Sequence, residues 1–377
     1  MASIAKREDG RWRARYRDAA GKEHSRHFAR KIDAQTWLDG VTTAVHTGTY
    51  ADPKRGRVTV GDWAPRWLEG QAHLKPSTYE RYAGILREHV LPAWSAVQLI
   101  DVSHSDIQGW ITRLSATRSP ATVHKVHRVF SLLLKTAVKD GRLGRNPADA
   151  VNLPRVHTAE RRYLTHDQVR ILADASEPHR LVVLFLAYTG LRFGEMAALR
   201  VGRLDLMRRR AIVAESVTLV RGVQTWGTPK GHERREVPIP RFLVDELVAE
   251  VAGKNRDELV FTGEKGGALR AQVFQRSVLT AAADAIGLPG LHPHELRHTA
   301  ASLAIASGAT IKVVQQMLGH KSATMTLDLY GHLYADQLDE LGDRLHDAAM
   351  AAAANSRGLP ADFLRTRAVS ILKARSS

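Results

Sequence analysis

Helix-breaking residues divide residues 291–332 into short amphipathic segments, and this stretch limits the fold more than any other in the chain. The first segment predicts a helix with His294 and Arg297 on one face, because residues three apart are neighbours on a helix surface. Residues 311–318 predict a second helix, and residues 326–341 predict a third. This end of the chain is therefore expected to build a helical domain.

Polar side chains fall at or near the predicted helix ends. Gly319 follows the second helix in the position that glycine commonly takes there, and His320 comes directly after it. Tyr330 lies in the third helix. Two helix ends and one polar helix face are predicted to converge on a small anion.

The composition favours a nucleic-acid partner. The chain has 55 Lys and Arg residues against 39 Asp and Glu, which gives a formal net charge of +16. A basic, solvated surface is the alternative, but at this size the charge favours nucleic-acid binding.

Several classes of protein are excluded. The sequence has no cysteine, which excludes disulfides, thiolate catalysis and cysteine-ligated zinc, and it predicts a reducing cytoplasm as the compartment. It also has no apolar run long enough for a membrane helix, and its first residues are too polar for a secretory signal. The length of 377 residues predicts two or three domains.

Residues 1–57 predict a small β-sheet domain with one helix, followed by a linker. Residues 10–18 alternate with period two, so that Trp12, Ala14 and Tyr16 share one face of a strand. The opposite face carries Arg11, Arg13, Arg15 and Arg17. We expect this face to bind DNA, because like charges in a row repel unless an anion opposes them. A merely soluble sheet surface is the alternative.

Residues 58–152 predict a domain of four helices. The predicted N-caps of three of them are Ser77, Ser105 and Ser119. The last helix carries Lys125 and Arg128 on its polar face. These cations are either a solvated face or phosphate contacts, and the basic neighbouring segments favour contact with DNA.

Residues 158–350 predict a mainly helical third domain with a small antiparallel sheet, so that the whole chain is a multidomain α+β protein. A long apolar helix ends at Gly190, and Arg192 follows it. An unpaired buried arginine is unfavourable, so either Glu195 forms a structural pair with Arg192 or a ligand binds there. Residues 210–220 and 236–239 are rich in β-branched residues and predict two strands, with Lys230 near the tip of the turn between them.

Five motifs resemble those of the tyrosine recombinases, the integrase family of site-specific DNA recombinases. They are TGLRFGE (189–195), TPKGHERREVPIP (228–240), HELRHTAAS (294–302), LGHKS (318–322) and YGH (330–332). Their common order is far more specific than any one motif. The second domain resembles the family's core-binding domain, and the first resembles its arm-type DNA-binding domain. This plan favours an integrase of a phage or similar mobile element.

The resemblance implies a route without metal or cofactor, in which Tyr330 attacks the scissile phosphate. The products are a 3′-phosphotyrosyl bond and a free 5′-hydroxyl, and the covalent link retains the energy needed for rejoining. Arg192 and Arg297 are expected to grip the non-bridging oxygens. Lys230 is expected to protonate the leaving 5′-oxygen.

The resemblance also implies supporting roles. His294 assists proton transfer around the tyrosine, His320 hydrogen-bonds the phosphate, and Glu195 orients Arg192.

Each of these roles has an ordinary structural alternative. His294 is alternatively an ordinary helix-face histidine, and His320 a charge at a helix end. His298 is predicted to point away from the site. Tyr334 competes with Tyr330 from one turn later, but the Tyr-x-His pattern favours Tyr330 and leaves packing to Tyr334.

The predicted function is integration of a phage or mobile element, with excision as a candidate second direction, by four protomers on two DNA sites through a Holliday junction. The expected partners are core-type and arm-type DNA sites, with a host DNA-bending protein and an excision factor as candidates, in the cytoplasm of a bacterial host. Residues 351–377 form a tail that either docks on a neighbouring protomer or is disordered. A type IB topoisomerase and a catalytically silent DNA-binding regulator are the competing functions.

Overall fold

The structure, a computed structural model, describes residues 2–18, 21–47, 50–52, 54–156, 162–229, 234–334 and 337–356. The chain divides into two compact units, Met1–Ala159 with Val220–Val223, and Glu160–Leu219 with Gln224–Ser377. The finer boundaries at residues 57, 152, 158 and 350 stay predictions. Lys230 and residues 357–377 of the tail lie outside the described residues.

The fold is multidomain and mostly helical with small antiparallel sheets, as predicted. None of the helices among the described residues is long and apolar enough to cross a membrane.

The first part of the chain is a three-stranded antiparallel sheet covered by one helix. The elements are β1 (Ser3–Lys6), β2 (Trp12–Arg17), β3 (Glu23–Phe28) and α1 (Lys31–His46), with β2 in the centre of the sheet. Ala14 and Tyr16 of β2 are buried in one cluster with Ala34 and Leu38 of α1. The predicted alternation along β2 is therefore confirmed, with its arginines on the face away from the helix.

Four helical segments with their own apolar core follow. They are α2 (Val60–Glu69), α3 (76–94, with a π-helical turn at Leu86–Val90), α4 (His104–Ser115) and α5 (Pro120–Lys139). Ser119 caps α5 as predicted, since its side chain accepts from the Thr122 amide. The other two predicted caps are wrong. Pro76 lets α3 begin after Lys75, because proline fits the first helical turn, and Ser103 rather than Ser105 caps α4.

The second unit holds the remaining α-helices, and all but the last of them contribute to a third core. They are α6 (His166–Asp174), α7 (Arg180–Thr189), α8 (Phe193–Met196), α9 (Val244–Val251), α10 (271–285, with a π-helical turn at Gln275–Leu279), α11 (Pro293–Ala306), α12 (Ile311–Leu318), α13 (Ala323–Tyr330) and α14 (Gln337–Ser356). Helix α11 packs against α7.

Two small sheets form between α8 and α9 along the chain. The strands β4 (Leu204–Asp205), β5 (Arg210–Val213) and β8 (Arg235–Pro238) form one, and β6 (Ser216–Val220) and β7 (Val223–Gly227) form the other. The sequence predicted one strand over residues 210–220, which is wrong. The chain leaves the first sheet after Val213 and pairs β6 with β7 through a tight turn at Arg221, where φ is 49°, and Gly222.

The predicted third helix over residues 326–341 is also wrong in extent. Helix α13 ends at Tyr330, and a 3₁₀ turn covers Gly331–Tyr334. Glycine weakens a helix interior, and the Tyr334 hydroxyl donates to the Ala309 carbonyl at 3.2 Å, which holds the turn away from a helical course. Tyr330 is therefore the last residue of a helix rather than an interior one.

Candidate active site

Two helices end close together at glycines in the left-handed conformation. Gly190 follows α7 with φ 65°, and Gly319 follows α12 with φ 64°. A Cβ on Gly190 would lie 2.8 Å from Cδ2 of Leu318, so both the backbone conformation and the close packing require glycine there.

Arg297 joins these two helix ends. Its Nη1 donates to the Gly190 carbonyl at 2.5 Å, and its Nη2 donates to the Leu318 carbonyl at 2.7 Å. The side chain comes from α11 and is only 2% exposed. Backbone carbonyls that would otherwise lack partners at helix ends thus hold the guanidinium in one orientation.

The buried guanidinium of Arg297 has a lowered pKa. Burial lowers the pKa of Arg297 to about 9, with further lowering by the positive charges of Arg192 and Arg235. The group is still charged at neutral pH. An anion bound beside these arginines would favour the charged form and raise the pKa of Arg297 again.

Glu195 holds two of the arginines together. Its carboxylate is 1% exposed and accepts from Arg192 Nη1 at 2.7 Å and from Arg235 Nη2 at 2.6 Å. Burial alone would raise the pKa of Glu195, but the hydrogen bonds and charges of the two arginines hold it below the usual range. Glu195 is therefore an ionised support for Arg192.

Arg235 is a site residue that the sequence reasoning missed. Its Nε donates to the Met317 carbonyl near the end of α12, while its two Nη atoms bind Glu195. The guanidinium also packs within about 3 Å of where a Gly319 Cβ would lie. The available signal was its place within the motif at 228–240, at the first position of β8.

Arg192 faces an open pocket of about 480 Å³. The pocket's charged lining is mostly basic: Arg192, Arg234, Arg235, Lys312 and Lys321, with Glu236. His320 lines the same pocket, as does Pro229, the residue before Lys230. The predicted Arg192–Glu195 pair is thus present, and the same arginine is also one-quarter exposed toward a basic cavity.

Tyr330 is buried, and its hydroxyl meets a histidine. The hydroxyl lies 2.7 Å from Nδ1 of His298, and the side chain is 1% exposed. The prediction that His298 points away is therefore wrong. His294 lies one turn earlier on α11, and its ring packs edge-on against His298 at 4.9 Å between centroids. Spacing of four residues on a helix was the signal that links the two histidines.

His320 also lies beside the tyrosine ring. Its ring is nearly parallel to that of Tyr330, at 6.4 Å between centroids, and its Nδ1 is 3.0 Å from the Thr326 hydroxyl. Burial, followed by the charges of Arg297, Arg192 and Arg235, lowers the pKa of His320 to about 4. The ring is therefore neutral at pH 7, which argues against the interpretation of His320 as a charged helix end.

The pKa of His320 should rise when an anion enters the pocket, because the anion offsets the nearby arginine charges. In the free protein the folded value lies below the ordinary value of 6.5, so the unfolded state binds more protons between these two values. The contribution of His320 to stability is then complete above pH 6.5 and is lost as the pH falls toward 4. NMR titration of the imidazole with and without vanadate, with His320→Gln for assignment, measures the shift. A pKa that vanadate leaves unchanged would contradict the placement of the anion.

The predicted DNA-binding residues lie elsewhere. In β2, Arg13, Arg15 and Arg17 each approach the Glu23 carboxylate within 3.7–3.9 Å, and Arg11 is exposed just before the strand. The sequence reasoning expected an external anion to oppose these charges, and Glu23 supplies part of that role internally. On α5, the side chains of Lys125 and Arg128 are exposed.

Among the described residues, no group of three or more His, Asp or Glu side chains is arranged to hold a metal ion.

Known proteins resemble the chain along most of its length. Three family profiles match it: the phage integrase family over residues 162–337, the phage integrase N-terminal SAM-like domain over 59–115, and the phage integrase N-terminal domain over 2–47. A prophage phiRv2 integrase of Mycobacterium tuberculosis is 27% identical over 334 residues, which are 84% of this chain and 88% of that protein. The integrase of Mycobacterium phage L5 is 24% identical over 324 residues, which are 80% of this chain and 84% of that protein.

A solved structure shares the fold. The Tn1549 transposon integrase in complex with a circular intermediate DNA superimposes with a TM-score of 0.66 at 22% identity, over 76% of this chain and 99% of that one.

Proposed function

Because the chain belongs to the phage integrase family of tyrosine recombinases, we propose that its basic pocket binds the scissile phosphate of DNA and that Tyr330 is the nucleophile. The chain is a site-specific DNA recombinase of the kind that integrates a phage or mobile element. The observation that supports the assignment is the meeting of four separate segments beside this basic pocket: Arg297 binds the carbonyls of Gly190 and Leu318, and His320 stacks on Tyr330. The four segments contribute Arg192, Arg297, His320 and Tyr330.

The positive charges act on the pentavalent phosphate. Arg192 is exposed enough to reach a ligand and is oriented by Glu195, while Arg297 is fixed by two carbonyls. Preorganised donors stabilise charge that develops in the transition state without having to reorganise at that moment. A neutral His320 adds a hydrogen bond through its Nε2–H, in the tautomer whose Nδ1 accepts from Thr326.

Bond changes follow from this arrangement. The Tyr330 oxygen attacks phosphorus, the bond from phosphorus to the 5′-oxygen breaks, and a 3′-phosphotyrosyl link remains. Lys230 is our proposed acid for the leaving oxygen, and in the sequence it directly follows Pro229 of the pocket wall. Rejoining reverses these steps without a nucleotide cofactor, since the covalent link retains the phosphoester energy.

A nicked suicide substrate tests the proposal. After cleavage such a DNA loses the short 5′-hydroxyl strand, so the covalent protein–DNA adduct accumulates and is resolved on a denaturing gel. We expect an adduct with the wild-type chain in the presence of a chelator. The absence of any adduct on its own recombination site would favour a silent DNA-binding regulator. Relaxation of supercoiled DNA without sequence preference would favour a type IB topoisomerase.

We propose that the working assembly is a tetramer on two DNA sites. A lambda integrase tetramer bound to a Holliday junction superimposes on this chain with a TM-score of 0.58 at 19% identity, over 85% of this chain and 96% of that one. The β2 arginines would bind arm-type sites, while Lys125 and Arg128 would contact core-type DNA near the crossover. A host bending protein and an excision factor would complete the reaction in the bacterial cytoplasm.

Arg13→Ala combined with Arg15→Ala should weaken binding to the distal, arm-type site and spare cleavage at the crossover site. Each lost phosphate contact should also lower the slope of log K against log salt by about 0.9. Gel-shift titrations at several salt concentrations measure both quantities. Glu23→Gln is the matched control, because it removes the carboxylate beside these arginines and should tighten distal binding. Equal losses at both sites would contradict a separate arm-type role.

A further inference from the structure

The contact between His298 and Tyr330 carries an inference beyond the roles that the resemblance assigns. A phenol that attacks phosphorus must lose its proton, and the Tyr330 hydroxyl lies 2.7 Å from Nδ1 of His298. That distance is within hydrogen-bond range for a general base. The resemblance had assigned proton transfer to His294, four residues earlier on the same helix.

We propose that His298 is a catalytic residue that accepts the Tyr330 proton as the tyrosine attacks the DNA phosphate. This inference rests on the proposed function of the same site. In the reacting tautomer His298 carries its proton on Nε2, and its Nδ1 accepts from the hydroxyl.

The proton count is balanced in both directions. During cleavage the Tyr330 proton moves to Nδ1 as the new oxygen–phosphorus bond forms, and the leaving 5′-oxygen takes a different proton from the acid on its own side. During rejoining the 5′-hydroxyl attacks phosphorus and gives its proton back to the acid on its own side, while the imidazolium of His298 returns its proton to the departing tyrosine oxygen. His298 therefore stays positively charged for the lifetime of the covalent intermediate and is neutral again after rejoining.

The surroundings hold His298 in place for this step. Its ring is half-buried between the perpendicular ring of His294 and the ring of Tyr330, at centroid distances of 4.9 and 5.7 Å. His294 is exposed, whereas Tyr330 is buried. The geometry therefore places the ring of His298 directly against the reacting oxygen.

His298→Asn tests the role, because asparagine keeps a polar acceptor but cannot take up a proton. We expect single-turnover cleavage to slow by about 10²-fold, the lower end of general-base contributions. Two suicide substrates are compared, one with the natural 5′-bridging oxygen and one with sulfur at that position. Sulfur leaves without needing an acid, so it should rescue Lys230→Ala but not His298→Asn.

His332→Asn is the matched control. The His332 ring lies near Tyr163, with 3.3 Å between Nε2 and the tyrosine hydroxyl, on the turn after Tyr330. The His332→Asn variant should cleave both substrates at the wild-type rate. Melting temperature and DNA affinity are measured for every variant, and His298→Gln replaces His298→Asn if the latter does not fold.

The outcomes separate the inference from the proposed function. Wild-type cleavage with an equal rate for His298→Asn would overturn the inference and leave the recombinase assignment intact. Rescue of His298→Asn by sulfur would also overturn it, because the histidine would then act on the leaving group. No adduct with the wild-type chain would overturn the proposed function instead.

Discussion

Tyr330→Phe should abolish the covalent adduct while leaving the fold and DNA affinity close to those of the wild type. The substitution removes only the attacking oxygen, and the ring that fills the buried position remains. Loss of a nucleophile in other covalent enzymes lowers the rate by roughly 10⁶. Loss of the hydrogen bond to His298 should change the free energy of unfolding by about 1 kcal/mol.

The suicide-substrate assay measures this effect, and mass spectrometry of the DNA-linked peptide identifies the attachment site. Tyr334→Phe is the matched control, because its hydroxyl donates to the Ala309 carbonyl on the neighbouring turn. It should retain adduct formation. An adduct that persists in Tyr330→Phe and disappears in Tyr334→Phe would reverse the assignment of the two tyrosines.

Sequence order was enough to select most of the site. Arg192, Arg297, His320 and Tyr330 lie in segments that glycine and apolar periodicity mark, so their motifs locate them without coordinates. Their convergence was not predictable from spacing, because Arg192 and Arg297 meet only through the packing of α7 against α11. Lys230 is the reverse case: its motif selects it in the sequence, but it lies outside the described residues, so its position in the site stays a prediction.

His298 and Arg235 were missed because their roles depend on where their side chains point, which residue type alone does not reveal. His298 follows Arg297 directly, and one residue of helix rotation decides which of them faces the carbonyls of α7 and α12 and which faces Tyr330. Arg235 was indistinguishable from Arg234 in the sequence. Only the start of β8 turns Arg235 toward the buried Glu195 carboxylate, while Arg234 is exposed.

Two of the predicted helix boundaries were wrong for different physical reasons. Pro76 preorganises the first turn of α3 and moves its start ahead of Ser77. The end of α13 at Tyr330 depends on the distant contact between Tyr334 and Ala309, which no local pattern reveals. That boundary matters for function, because it puts the nucleophile at the end of a helix beside a turn.

Arg297→Lys and Arg192→Lys should have similar effects on catalysis but different effects on stability. Each substitution keeps one charge and removes the planar fork that binds two partners at once. Removing one donor from a preorganised anion site lowers the rate by about 10²–10³-fold in other enzymes, and we expect a similar loss for each variant.

The stabilities should differ because the two arginines are buried to different degrees. Arg297 is 2% exposed and serves two helix-end carbonyls, so Arg297→Lys would leave one of them without a partner, at a cost of about 1–3 kcal/mol. Arg192 is one-quarter exposed, and Glu195 keeps its bonds to Arg235, so the change there should be about 0–1 kcal/mol. Urea unfolding of both variants measures this difference.

A substrate with a neutral methylphosphonate at the scissile position separates catalysis from folding. It carries less negative charge into the transition state, so the arginine variants should lose less rate on it, relative to the wild type, than on the natural phosphate. A variant that is merely misfolded would lose the same factor on both substrates. Equal factors for Arg192→Lys, whose fold should be intact, would mean that Arg192 does not act on the phosphate charge.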